Sequence, residues 1–174
     1  MTSGLLIRRV SADNVQDVAD AALLLSELNA TVGAVGVPDE VAREPRYAYV
    51  SPEAMAHRLR LVEGVETVLV ASVDGEPAGF VSLRVIPYLD QDTPYAEVTQ
   101  VHTRRQFRRR GVGAALIEAA EKLALEAGAT CVHIITGDDN VGAQAFYRAQ
   151  GYHLACYEFE KHFAETTERQ PAHA

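Results

Sequence analysis

Residues 104–110 read RRQFRRR and run directly into Gly111-Val112-Gly113. Arg104, Arg105, Arg108, Arg109 and Arg110 put five of the chain's sixteen basic residues into seven positions. Packed like charges repel, and glycine inside a helix costs about 1 kcal/mol relative to alanine. A bound anion would offset both. The stretch follows a strand-like segment and opens a helix-like one, where the first backbone N–H groups have no partner and the helix dipole favours negative charge. Gly111 and Gly113 remove the Cβ atoms that would hold a diphosphate away from the backbone, and the arginines add charge-assisted bonds. The arrangement suits a pyrophosphate. On these residues alone, a tight turn with solvated arginines is an equal alternative, because the Walker Gly-Lys-Ser/Thr and the full GxGxxG are both absent.

Composition narrows the ligand. The 174-residue chain carries a net charge of −8, so its basic charge is local and the remainder is acidic. A nucleic-acid binder spreads positive charge over a face, and a single-strand binder interleaves aromatics, of which only Phe107 is available here. A compact polyanion fits better, and no nucleic-acid partner is expected. No segment approaches the roughly 18 apolar residues of a membrane span, and Leu5-Leu6-Ile7 is too short for a secretory signal. Cys131 and Cys156 fall in apolar strand-like segments, which suggests reduced, packed thiols and a cytoplasmic location. No metal site is expected: Asp138, Asp139 and Asn140 lack calcium-loop spacing, and the cysteines are too far apart for a zinc knuckle.

The elements that must position the arginine–glycine stretch follow from periodicity. Strands are expected at 4–10, 66–73, 76–86, 95–103, 130–136 and 152–161. Asp74-Gly75 marks a tight hairpin turn, and Pro77 belongs at the start or edge of its second strand. Helices are expected at 11–30, capped by Ser11 or Asp13, at 52–62 behind Ser51-Pro52, at 111–128 and at 140–150. Residues 31–49 read as a loop. The order implies a mixed α/β fold of a single domain over 1–163, with a disordered tail over 164–174.

Two motifs carry a resemblance. Arg108-Arg109-Arg110-Gly111-Val112-Gly113 fits R/Q-x-x-G-x-G/A, and the segment from Asn140 through Ala143, Phe146, Tyr147 and Gly151 to Tyr152 fits N-x-x-A-x-x-F/L-Y-x-x-x-G-F/Y. Over about residues 5–161 the chain resembles the GNAT superfamily of N-acetyltransferases. The resemblance implies a mostly antiparallel sheet of about six to seven strands, splayed between strands 4 and 5, with about four helices on both faces. It implies acetyl-CoA as cosubstrate, with the pyrophosphate on Arg108, Arg109, Arg110, Gly111, Val112, Gly113 and Ala114. The pantetheine arm would pair with Val101, His102 and Thr103, and Asn140 would contact the cofactor. Thr103, Arg105 and Arg109 depart from residues common in the superfamily.

Acyl transfer to an amine sets opposed demands. An alkylammonium of pKa near 10.4 must lose a proton before attack, and the departing thiolate gains one. Tyr147 stands at the superfamily's tyrosine position, which implies that it is both the acid and a contact of the cofactor. Its alternative is a core aromatic. Glu97, fourteen residues before Gly111, has the spacing of a glutamate base in the histone-acetylating branch. Its alternative is an exposed strand glutamate. His102 competes for that role, but strict alternation would put it on the face opposite Glu97. His133 and His57 read as structural.

Asp90, Asp92 and Glu97 would line one side of an acceptor site and attract a cation. Residues 137–152 also resemble aminoglycoside 3-N-acetyltransferases. The reading favours a small polyamine-like or aminoglycoside-like amine acceptor and leaves room for a homodimer. Peptide amines and a non-catalytic acyl-CoA sensor are the alternatives.

Overall fold

The computed structural model describes residues 4–32 and 48–155. Its strands are β1 (Leu5–Arg9), β2 (Glu66–Val73), β3 (Glu76–Ile86), β4 (Tyr95–Thr103) and β5 (Val132–Ile134), forming one sheet in sequence order. The pairings are antiparallel up to β3–β4 and parallel for β4–β5. The helices are α1 (Val15–Val32), α2 (Pro52–Leu61), α3 (Val112–Glu126) and α4 (Val141–Ala149). This is the mixed, mostly antiparallel α/β fold the sequence implies, with five strands among the described residues where six to seven were expected. Tyr152–Ala155 form no strand, and the rest of the expected last strand, 156–161, lies outside the described residues, as do 33–47 and the tail 164–174. The chain divides into two compact units, Met1–Gly137 and Asp138–Ala174.

In the first unit the sheet separates two cores. Val112, Leu116, Ala120 and Ala124 of α3 pack on Leu69, Ala71, Val81, Leu83, Ala96 and Val98. On the other face Val18, Ala21, Leu24 and Leu25 of α1, with Met55 and Leu59 of α2, cover Val70 and Phe80. Period-2 alternation in the strands supplies both faces.

Local chemistry sets the ends. Asp74 and Gly75 both take positive φ, 52° and 85°, which closes the β2–β3 hairpin as the dipeptide predicts. Pro77 pairs opposite Ser72 beside a bulge that accommodates its missing N–H. Ser51 caps α2, accepting from the Ala54 N–H at 3.2 Å. The cap of α1 is Asn14, not Ser11 or Asp13: its Oδ1 accepts from the N–H groups of Gln16 and Asp17. Buried Asp17 and Asp20 reach back to Arg8 of β1, tying α1 to the sheet; burial opposes the charge on Arg8, but its bonds to the two carboxylates outweigh this and raise its pKa.

Candidate active site

Between β4 and α3 the chain makes a short 3-10 turn at Arg105–Phe107 and then two left-handed residues, Arg109 at φ 60° and Gly111 at φ 83°. Gly111 adopts that conformation without a Cβ penalty; Arg109 does not. The first bond of α3 runs from the Ala115 N–H to the Gly111 carbonyl at 3.0 Å. The N–H groups of Val112, Gly113 and Ala114 therefore precede the helical ladder, as an anion cradle requires. The arginines divide their work. Arg104 turns inward, donating to Glu27, Glu76 and the Pro77 carbonyl. Arg108 donates to the Thr103 carbonyl at 3.0 Å, and the Arg110 guanidinium lies 5.7 Å from the centre of the Phe107 ring. Arg108, Arg109 and Arg110 are exposed around the start of α3.

The parallel ladder of β4 with β5 covers only Ala96, Glu97 and Val98. Beyond Val98 the edge of β4 that carries Val101, His102 and Thr103 has no strand partner on that side among the described residues, while its other edge pairs with β3. An amide-bearing arm could bond there as an added strand. Gly79 permits the close approach of β3, because a Cβ on it would lie 2.5 Å from the His102 carbonyl oxygen. The His102 side chain is buried, with Nε2 3.4 Å from Glu27 Oε2. Burial pushes its pKa below the usual histidine value, against the opposing pull of Glu27.

A cavity of about 460 Å³ opens between the sheet and α1–α2. Glu97 is in its floor, ion-paired with Arg84 of β3 at 2.9 Å. Ser82 and Thr99 both donate to Glu66 Oε1, forming a second polar group in the same floor. Sequence reasoning passed over Arg84, Glu66, Ser82 and Thr99. The signal was available: Ser82 and Arg84 alternate on one face of β3, where an all-apolar face would be expected.

Three expectations change. Glu97 and His102 share a face of β4, because Thr99 is an extra residue between the pairs Leu83–Val98 and Ser82–Gln100, and the bulge resets the alternation. Asp90 and Asp92 are exposed, and neither lines the cavity. Cys131 is exposed, not packed; its Sγ lies 3.6 Å from His133 Nε2. His133, read as structural, pairs in register with Glu97, and its ring lies tilted 4.9 Å from that of Tyr95. Cys156 lies outside the described residues.

In the second unit Asn140 caps α4, accepting from the Ala143 N–H at 3.1 Å. Tyr147, half-buried on α4, contacts the rings of Phe146 and Tyr152, and burial raises its phenol pKa above the ordinary value of 10. Among the described residues no group of three or more His, Cys, Asp or Glu could hold a metal ion, and no helix is long and apolar enough to cross a membrane.

Residues 37–152 match the Acetyltransferase (GNAT) family, and the chain belongs to it. An uncharacterized N-acetyltransferase of Methanocaldococcus jannaschii is 34% identical over 85 residues, 48% of this chain and 37% of that protein. The match thus spans little more than a third of that relative's length. An aminoglycoside acetyltransferase from an uncultured soil metagenomic sample, solved with trehalose and with sisomicin, has a TM-score of 0.70 at 18% identity, covering 92% of this chain and 97% of its own. A ribosomal-protein-alanine N-acetyltransferase from Brucella melitensis biovar Abortus 2308 has a TM-score of 0.67 at 19% identity, covering 92% of this chain and 99% of its own. Identities this low show a shared fold alone.

Proposed function

We propose that this chain transfers an acetyl group from acetyl-CoA directly to the primary amine of a small molecule within a ternary complex. The observation that carries the reading is continuity along β4. Glu97 faces the cavity, the edge at Val101–Thr103, unpaired among the described residues, follows, and the strand leads into the open N–H groups of Val112, Gly113 and Ala114. An acceptor, a pantetheine arm and a pyrophosphate would be laid out in that order.

Bound acetyl-CoA supplies a thioester acyl donor with a thiolate leaving group. Arg108, Arg109, Arg110 and Gly111 would hold the pyrophosphate with those three amides, and Asn140 would add a contact. Glu97, helped or replaced by a water, takes the proton from the amine. Tyr147 returns one to the sulfur from its phenol, which burial keeps protonated at neutral pH. The withdrawal of Arg104 into bonds with Glu27 and Glu76 weakens the case for a nucleic-acid partner, and the exposed Arg108–Arg110 group suits a small phosphate ligand. No metal or membrane is needed, and the reading places the enzyme in the cytoplasm.

Thiol release from acetyl-CoA against a panel of small amines and peptides tests this. Release with a small amine is expected. Binding of acetyl-CoA with no release from any amine would make the chain an acyl-CoA sensor, and release with peptides alone would move the acceptor to protein amines. In calorimetric titration Gly113→Val should weaken acetyl-CoA binding by about tenfold or more, about 1.4 kcal/mol. Unchanged affinity would remove the pyrophosphate site.

A further inference from the structure

The lining of the cavity narrows the acceptor further, and the step rests on the acetyltransferase reading above. Its walls are mainly apolar: Leu25 of α1, Met55 and Leu59 of α2, Val68 and Phe80 of the sheet, and Ile135 just past β5. Its charges cancel, with Arg58 and Arg84 against Glu66 and Glu97. Glu97 is already paired with Arg84, which leaves Glu66, bonded to two hydroxyls, as the one other carboxylate of the lining, too little to gather several ammonium groups. Both guanidinium contacts from Arg84 fall on Glu97 Oε2, and both hydroxyl contacts from Ser82 and Thr99 fall on Glu66 Oε1. A polyamine or aminoglycoside would bring ammonium groups that this lining could not pair, and an unpaired ammonium against an apolar wall is strongly disfavoured.

Arg58 points to the remaining feature. It lines the cavity from the last turn of α2, is exposed to solvent, and has no ion-pair partner among the described residues. A guanidinium in that position is suited to a carboxylate, which it can hold through two parallel bonds. We infer that the acceptor is an amphiphilic monoamine: one ammonium nitrogen directed to the Glu97 side, an apolar body against the helix-facing wall, and one anionic group on Arg58. Polycations are excluded by the same lining.

Two measurements on the full-length protein test this. Steady-state thiol release would compare 6-aminohexanoate and L-phenylalanine with their neutral counterparts hexylamine and L-phenylalaninamide, and with spermidine. At least one acid-bearing monoamine should exceed both its neutral counterpart and spermidine by about tenfold or more in kcat/KM. Arg58→Gln should remove that gap by raising KM for the acid-bearing amine. Preference for spermidine, or a gap that survives Arg58→Gln, overturns the inference. Calorimetry with 3-phenylpropanoate in the presence of CoA decides it without turnover: binding that Arg58→Gln abolishes supports it, and absent or unaltered binding overturns it. If no amine turns over, the acetyltransferase reading fails, and the calorimetric arm still judges the cavity.

Discussion

Arg84 Nη2 lies 2.9 Å and Nε 3.2 Å from Glu97 Oε2, across the one rung of the β3–β4 ladder that pairs these two residues. The proposed base is therefore half of an ion pair, with its side chain 16% exposed. The bond to Glu97 raises the pKa of Arg84, with burial opposing it. Glu97→Gln should lower the rate by roughly 10²–10⁴-fold. Arg84→Gln should lower kcat/KM by less than Glu97→Gln does, because the carboxylate remains but loses the partner that holds its position. Steady-state profiles of the two variants check both. An unaltered Glu97→Gln profile would hand the proton to water or to a neighbour such as His133.

Tyr147 makes the opposite demand. Burial disfavours the phenolate, so the acid form persists above pH 10 and no loss of activity from this group is expected below it. Tyr147→Phe should cut thiol release by roughly 10²–10⁴-fold while acetyl-CoA affinity stays nearly intact, since the ring still packs. Single-turnover thiol release alongside equilibrium binding separates the two effects. An unaffected rate would make the tyrosine a packing residue.

The arginine run should split into two classes. Arg104 is 16% exposed and bonded to Glu27, Glu76 and a carbonyl, so Arg104→Gln should lower stability by about 1–3 kcal/mol in denaturant titration. Arg109 is exposed at the mouth of the turn, and Arg109→Gln should weaken acetyl-CoA binding with the folding midpoint unmoved. Matching losses in both assays for both variants would mean that the run acts as one electrostatic unit.

His102 predicts a pH dependence of folding. Burial lowers its folded pKa below 6.5, and Arg108 and Arg104 add to the shift while Glu27 opposes it. The unfolded chain then binds the proton more readily, so the stabilisation tied to the neutral ring is present above about pH 6.5 and is lost as pH falls from there towards the folded pKa. His102→Gln should flatten the fall in melting temperature over that window. An equally steep fall in the variant would assign it to other groups.

Much of this arrangement was legible in local chemistry. Asp74-Gly75 specified its hairpin because both residues tolerate positive φ, and Ser51-Pro52 specified the start of α2. The arginine–glycine turn was legible because a helix N-terminus is itself the anion-binding device. Three features depended on tertiary context. Asn14 caps α1 in place of Ser11 or Asp13 because buried Asp17 is drawn to Arg8 and to the Ser11 N–H, which fixes where the helix begins. Cys131 sits in an apolar run but immediately before β5, an edge strand among the described residues, where it is exposed. Glu97 was picked out by spacing, yet its partner Arg84 lies thirteen residues away on another strand, beyond any local pattern.

The extra residue at Thr99 also gives β4 two independent reading frames. The frame before it sets which side chains reach the cavity, and the frame after it sets the backbone edge at Val101–Thr103. Deleting that residue would leave Val98 opposite Leu83 and Glu97 opposite Arg84 in a regular ladder. Closing the bulge with Thr99 retained would instead slip the upstream half by one residue, putting Val98 opposite Arg84 in place of Glu97 while the downstream edge stays in register with β3. A register slip confined to the upstream half is thus a short path by which a related chain could keep the backbone edge at Val101–Thr103 and line the cavity with a different polarity.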